Sequence, residues 1–342
     1  MLSSLLSSLL EYRAENFTTC PEDRPLIVQF AGHDPQTMLQ AAKLVEDKCD
    51  AVDINLGCPQ GIAKRGRYGA FLMEELELLH DIVKTLSSQL KVPVTCKTRI
   101  YKDFDRSIRL CETLVNAGAS MLTIHGRTRE EKGQLVADAD WDMIRRIKEH
   151  FGNRIPIIAN GGISNMDDVH KCLDYTKCDG VMSSEAILEN PTLFSNTTMI
   201  PLLTQIDIAD EYLQYCQKYP STFIRSARTH LMKFLHRYLQ KHTNIRDRLT
   251  EAKSWEEFHD IMKSIRSIVD NNDNDYQDIW YTRYRNINRV LIDSSYEIKN
   301  GVYSNNEIWD CSDSNNDSNN NDSNNTTLFS GLNMFDTAEE DI

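Results

Sequence analysis

"VPVTCKTRI", residues 92–100, is a β-branched apolar run that ends in charge. Side chains alternate along a strand, so Lys97 and Arg99 share one face while Cys96 and Thr98 share the other. A cation at mid-sheet is costly unless it opens onto a ligand. Five further runs have the same build: "LIVQF" (26–30), "AVDINLG" (51–57), "SMLTIHG" (120–126), "PIIANGG" (156–162) and "DGVMSS" (179–184). Amphipathic stretches such as "DPQTMLQAAKLVED" (34–47) and "DRSIRLCETLVNAGA" (105–119) lie between them. Strand and helix alternating this often predict a parallel α/β sheet, either a TIM barrel or a doubly wound sheet. The polar ends decide. Gln29, Asn55, Lys97 with Arg99, His125 and Asn160 each sit near the C-terminal end of a run, where a TIM barrel builds its active site. One such residue is ordinarily a satisfied structural group; five together point to a site.

Glycine placement adds a cofactor signal. "ANGGI" (159–163) ends the fifth run and "GVMSSEAI" (180–187) spans the sixth, where a TIM barrel often binds phosphate on backbone N–H groups. No GxGxxG follows any run, so a Rossmann dinucleotide site is not indicated. After Pro201 the pattern is helical only. Between residues 212 and 246 there is no Asp or Glu, yet seven Lys and Arg are present, Arg225 and Arg228 among them. Phe223, Phe234 and Tyr238 are interleaved, a composition suited either to an RNA backbone or to a solvated helix face over an aromatic core.

The net charge of -13 argues against nucleic acid until its distribution is seen. Residues 271–342 hold 14 acidic and 4 basic residues, which leaves 37 acidic and 34 basic in residues 1–270. The acidity therefore belongs mostly to the end of the chain, where "SDSNNDSNNNDSNNTT" (312–327) cannot bury a core and predicts disorder. "DIWYTRYRNINRVLI" (278–292) is aromatic and basic and is read as a docking or binding segment. The start, "MLSSLLSSLLEYR", has neither a cationic n-region nor a small-residue cleavage site and is read as part of a helix. Nine cysteines without CxxC spacing predict reduced thiols and no zinc, in the cytoplasm or nucleus. No run is long enough to span a membrane. The expected division is 1–200 for the barrel, 201–270 for a helical domain and 271–342 for the tail.

One loop concentrates the chemistry. "NLGCPQGIAKRGRYGAF" (55–71) closes an apolar run with Gly57, Cys58 and Pro59, then brings Lys64, Arg65 and Arg67 within four residues. "DINLGCPQGIAKRGRYGAFLM" (53–73) resembles the active-site signature of the tRNA-dihydrouridine synthases. "CPEDRPLIVQF" (20–30), "VPVTCKTRI", "LTIHGRTREEKG" (122–133) and "ANGGI" are similar to the eukaryotic branch acting on D-loop uridines 16 and 17. The resemblance runs from about residue 11 to about 250. It implies an FMN-bearing TIM barrel followed by a helical tRNA-binding domain, a monomer that reduces the C5–C6 bond of uridine in tRNA, with NADPH or NADH recharging the flavin.

Carried over by position, Cys58 is the catalytic acid. Gln29, Lys97, His125, Asn160, Gly161, Gly162, Ser184 and Glu185 fall on flavin-contacting positions. Asn55, Lys64, Arg65, Arg67 and Arg99, with Arg225 and Arg228 of the helical region, are assigned to the tRNA. A thiol is mostly protonated at neutral pH and can donate to the developing enolate. Lys97 would face the negative charge of the reduced flavin, and the cationic run would offset the cost of flipping the base through phosphate contacts. The family barrel has eight strands and six are counted here. The missing two would precede residue 26 and carry an Ala-Pro-Met segment that packs on the flavin, so the expectation is a barrel incomplete at its N-terminus. Two alternatives stay open: an FMN barrel reductase of a free pyrimidine or enone, and a flavin-free RNA-binding protein.

Overall fold

The computed structural model describes residues 17–195, 202–219 and 223–269, together with Arg13. The expectations for the N-terminal helix, the segment 278–292 and the Asn-rich tail lie outside the described residues. All six expected strands form: β1 (Ile27–Phe30), β2 (Ala51–Leu56), β3 (Val94–Arg99), β4 (Met121–His125), β5 (Ile157–Asn160) and β6 (Gly180–Met182). They make one parallel sheet in the order β1-β2-β3-β4-β5-β6. Sequential order means that every crossover steps to the next neighbour. A doubly wound sheet would reverse at a switch point, so the winding is that of a TIM barrel.

Helices α1 (Pro35–Lys43), α2 (Gly61–Gly66), α3 (Leu76–Gln89), α4 (Phe104–Asn116), α5 (Trp141–Phe151) and α6 (Met166–Thr176) fill the crossovers, and α7 (Glu185–Glu189) follows β6. Their starts are legible in the sequence. Asp34, Asp103, Asp140 and Asn165 each accept a backbone N–H three residues on, at 2.7, 2.7, 2.8 and 2.9 Å, which satisfies one orphan donor per helix. Pro35 adds a preset φ at the first position of α1. Residues facing the helices are buried along the strands: Val52, Ile54 and Leu56 on β2, Cys96 on β3, Leu122 and Ile124 on β4 and Ile157 and Ala159 on β5 pack into one apolar cluster with α1 and α3–α6. The opposite faces carry the polar residues, as the alternation requires.

A second cluster gathers Ile206, Leu213, Leu231, Phe234, Tyr238, Leu249, Phe258 and Ile265. It comes from α8 (Leu202–Lys218), α9 (Ile224–Phe234), α10 (His236–Lys241), α11 (Thr243–Glu251) and α12 (Trp255–Val269). Phe234 and Tyr238, which the sequence offered either to RNA or to a core, are core residues.

Candidate functional site

The sheet register sets the candidate site in rows. Asn55 lies opposite Lys97, and Lys97 opposite Thr123; one row nearer the C-terminal ends, Arg99, His125, Asn160 and Met182 are neighbours in turn. Gln29, Asp53 and Thr95 form the row below. The polar strand ends read from the sequence are thus one contiguous surface. Of the residues assigned by resemblance, Gln29, Asn55, Cys58, Lys97, His125 and Asn160 come together there. Gly161 and Gly162 continue directly from Asn160.

Cys58 follows β2 on a loop whose backbone is held at every residue. Asn55 Oδ1 accepts the N–H groups of Gly57 and Cys58, both at 3.0 Å. Arg99 Nε donates to the Gly57 carbonyl at 2.8 Å, Ala70 N–H to the Cys58 carbonyl at 2.9 Å and Lys132 Nζ to the Pro59 carbonyl at 2.7 Å. Gly69 has φ +65°, and a Cβ there would lie 2.7 Å from the Cys58 carbonyl oxygen, so only glycine permits the close approach. The thiol is therefore presented by a rigid frame. Both Lys97 and Arg99 feel the charge that Cys58 would carry.

Lys97 is half-buried and its Nζ makes no hydrogen bond among the described residues. Burial, reinforced by Arg99, pulls its ammonium down to about 8, against the opposing pull of Asp53 and Cys58. His125 is held well below the usual histidine value by burial and then by Lys97, Arg99 and Arg127. It is neutral at physiological pH. Arg127 Nη1 donates to its Nε2 at 3.1 Å, which leaves Nδ1 as the protonated nitrogen. Asn160 is buried and donates through Nδ2 to the Met182 carbonyl at 3.0 Å, tying β5 to β6.

Gly161 (φ +103°) and Gly162 (φ +77°) turn the chain over His125 and Ala139, and Trp141 Nε1 supports the Gly161 carbonyl at 2.9 Å. Ser184 precedes α7, whose first residue is Glu185; burial pulls the Arg127 guanidinium down, and that carboxylate opposes the shift.

Other assigned residues are engaged differently from the expectation. Arg99 is 7% exposed and directs Nε at Gly57 and Nη1 at the carbonyls of Thr128 and Glu131, 2.7 and 3.1 Å away. It clamps two loops together. Lys64 and Arg65 lie exposed on α2, and Arg67 caps that helix at φ 51° and pairs with Glu75 at 3.3 Å. Arg225 is exposed on α9, while Arg228 Nη2 donates to the Ala252 carbonyl at 2.6 Å. The sequence reading missed Arg127, Arg129, Lys132 and Asp53. Arg129 donates to the Ala70 carbonyl at 3.4 Å and sits 5.3 Å over the Phe71 ring. "GRTREEKG" after β4 was the available signal: its Arg129 and Lys132 reach back to the Cys58 loop and its partner Ala70.

A thiol and a desolvated cation converging at the C-terminal ends of barrel-type parallel strands define an enzyme-class site. The chain belongs to the dihydrouridine synthase family, whose model (Dihydrouridine synthase, Dus) matches residues 2–274. It is similar to the tRNA-dihydrouridine(16/17) synthase-like protein of Rattus norvegicus, 45% identical over 247 residues, covering 72% of this chain and 55% of the relative. The tRNA-dihydrouridine(16/17) synthase of Saccharomyces cerevisiae is 41% identical over 281 residues, with 78% and 66% covered. The tRNA-dihydrouridine(20a/20b) synthase-like protein of Homo sapiens is 38% identical over 208 residues, with 60% and 64% covered. The chain thus spans about half to two thirds of the length of these relatives. Among the described residues no helix is long and apolar enough to cross a membrane, and no cluster of metal-ligating side chains occurs.

Proposed function

We propose that the chain performs the flavin-dependent reduction of uridine to 5,6-dihydrouridine in the D-loop of tRNA, at positions 16 and 17. The observation that carries this reading is the meeting of a loop-mounted thiol, Cys58, with Lys97, a desolvated cation that makes no hydrogen bond within the described protein. The branch follows the relatives: matches named for positions 16/17 extend over 247–281 residues, against 208–210 for those named for 20a/20b.

The residues present fit FMN. Lys97 offers an unsatisfied cation to an anionic ring edge, neutral His125 offers a hydrogen bond, and Gly161–Gly162 is a positive-φ turn at the end of β5 packed on His125 and Trp141. Gln29, Asn160, Ser184 and Glu185 border the same surface. When bound, FMN supplies the hydride for C6, and NADPH or NADH recharges it. The protein's own share is acid catalysis and positioning. Cys58 Sγ gives its proton to C5, so that the C5=C6 bond gains one hydride and one proton. Asn55 fixes the loop that carries the thiol. Exposed Lys64 and Arg65, with Arg67 beside Glu75, receive phosphates flanking the extruded nucleotide. Residues 1–200 hold the reductase site, and the helical residues 201–270, with exposed Arg225, bind the tRNA body as a monomer.

Deleting the gene tests this. D-loop dihydrouridine is lost on deletion and restored by the gene; unchanged dihydrouridine refutes the proposal. Reduction of free uracil without tRNA would assign the site to a pyrimidine reductase instead.

A further inference from the structure

Asp53 is buried, 6% exposed, two residues before Asn55 on the same face of β2. Its Oδ1 accepts from Thr95 Oγ1 at 2.5 Å and its Oδ2 from Gln29 Nε2 at 2.7 Å. Gln29 uses its other end, Oε1, to accept from Asn55 Nδ2 at 2.9 Å. Asn55 Oδ1 is thereby turned to the N–H groups of Gly57 and Cys58.

The polarity of this chain is determined at both ends. A carboxylate only accepts and a backbone N–H only donates, whereas each carboxamide between them can face either way. With Asp53 at one end, Gln29 must turn its NH2 toward it and its oxygen toward Asn55. Asn55 must then turn its NH2 toward Gln29 and its oxygen toward the Cys58 loop. Reversing either amide would set donor against donor, or acceptor against acceptor, in a partly buried site where such a mismatch is expensive.

We propose that Asp53 is a positioning residue: through Gln29 and Asn55 it sets the amide orientations that lock the Cys58 loop. Its importance for turnover rests on the reading of Cys58 as proton donor; the relay itself does not.

The test reads backbone amide exchange at Gly57 and Cys58 in the full chain, without flavin or tRNA. Asp53→Ala removes the terminal acceptor. Gln29→Leu breaks the relay at an exposed position of β1. Each is expected to speed exchange at both amides about tenfold, the effect of losing roughly one net hydrogen bond. The Gly118 amide, bonded to the Val115 carbonyl, stays unchanged as an internal reference. The double exchange Asp53→Asn with Gln29→Glu rebuilds every bond with the carboxylate moved one step along. It is expected to return exchange to within about twofold of the parent, which removal of mere bulk would not allow. Exchange in Gln29→Leu within about twofold of the parent, or a double variant as fast as Asp53→Ala, overturns the proposal. Failure here leaves tRNA reduction standing, and absence of dihydrouridine leaves the relay standing.

Discussion

Replacing Lys97 with methionine should stabilise the flavin-free chain at pH 7 while removing its activity. The lysine is charged in a place where burial pulls it down to about 8 from 10.5, with Arg99 adding repulsion. That difference corresponds to about 3 kcal/mol, which solvent reaching the half-buried side chain reduces to about 2 kcal/mol. The pH dependence carries the sign. Below pH 8 the ammonium is charged in both folded and unfolded chains, and the folded state bears the whole penalty. Between 8 and 10.5 the folded chain releases its proton first, so the parent gains stability as pH rises and the gap to Lys97→Met closes. Urea unfolding of both proteins at pH 7, 9 and 10.5 measures the gap. Methionine is also apolar and fits the cleft wall without a charge. A Lys97→Met protein less stable than the parent at pH 7, or a gap that does not shrink toward pH 10.5, would refute the reasoning.

Further outcomes follow from the same geometry. Arg99→Ala strands the carbonyls of Gly57 and Thr128 and should cost about 3 kcal/mol in urea unfolding; a loss under about 1 kcal/mol would deny the clamp. Gly69→Ala forces φ +65° on a side chain that meets the Cys58 carbonyl. It should lower stability by at least about 1–2 kcal/mol and raise the alkylation rate of Cys58, read by peptide mass spectrometry. His125 is neutral in the folded chain but takes up a proton in the unfolded one, so folding stability falls as pH drops through about 6.5. His125→Gln should flatten that slope in thermal melts between pH 7 and 5, and an unchanged slope would contradict the cause given. Cys58→Ala should keep bound flavin yet slow reduction of tRNA by about 10²–10⁴, the usual worth of a positioned acid; stopped-flow reoxidation of the reduced flavin by tRNA decides it.

The strands were legible because each pairs an apolar helix-facing side with polar residues at its C-terminal end, as Lys97 does beside Cys96. Helix starts were legible from Asp34, Asp103, Asp140 and Asn165, whose caps are local. What could not be read were partners distant in sequence. Asp53 looked like one more polar strand residue; Thr95 and Gln29, which give it meaning, lie 42 and 24 positions away. Arg99 and Arg228 looked like free cations, yet both donate to backbone carbonyls, which leave no mark in a sequence. Phe234 and Tyr238 fit a nucleic-acid face by composition, and only packing assigned them to a core. The Cys58 loop itself was conspicuous because a Gly-Cys-Pro turn and a cationic run adjoin one strand end.

The most direct measurement incubates the purified chain, loaded with FMN and supplied with NADPH, with tRNA lacking dihydrouridine, and weighs the D-loop fragments by mass spectrometry. The account predicts that uridines 16 and 17 gain two hydrogens each, and that Cys58→Ala, with flavin still bound, leaves them unchanged over the same time. Full reduction by Cys58→Ala, or no mass change with flavin-loaded parent protein, would contradict it.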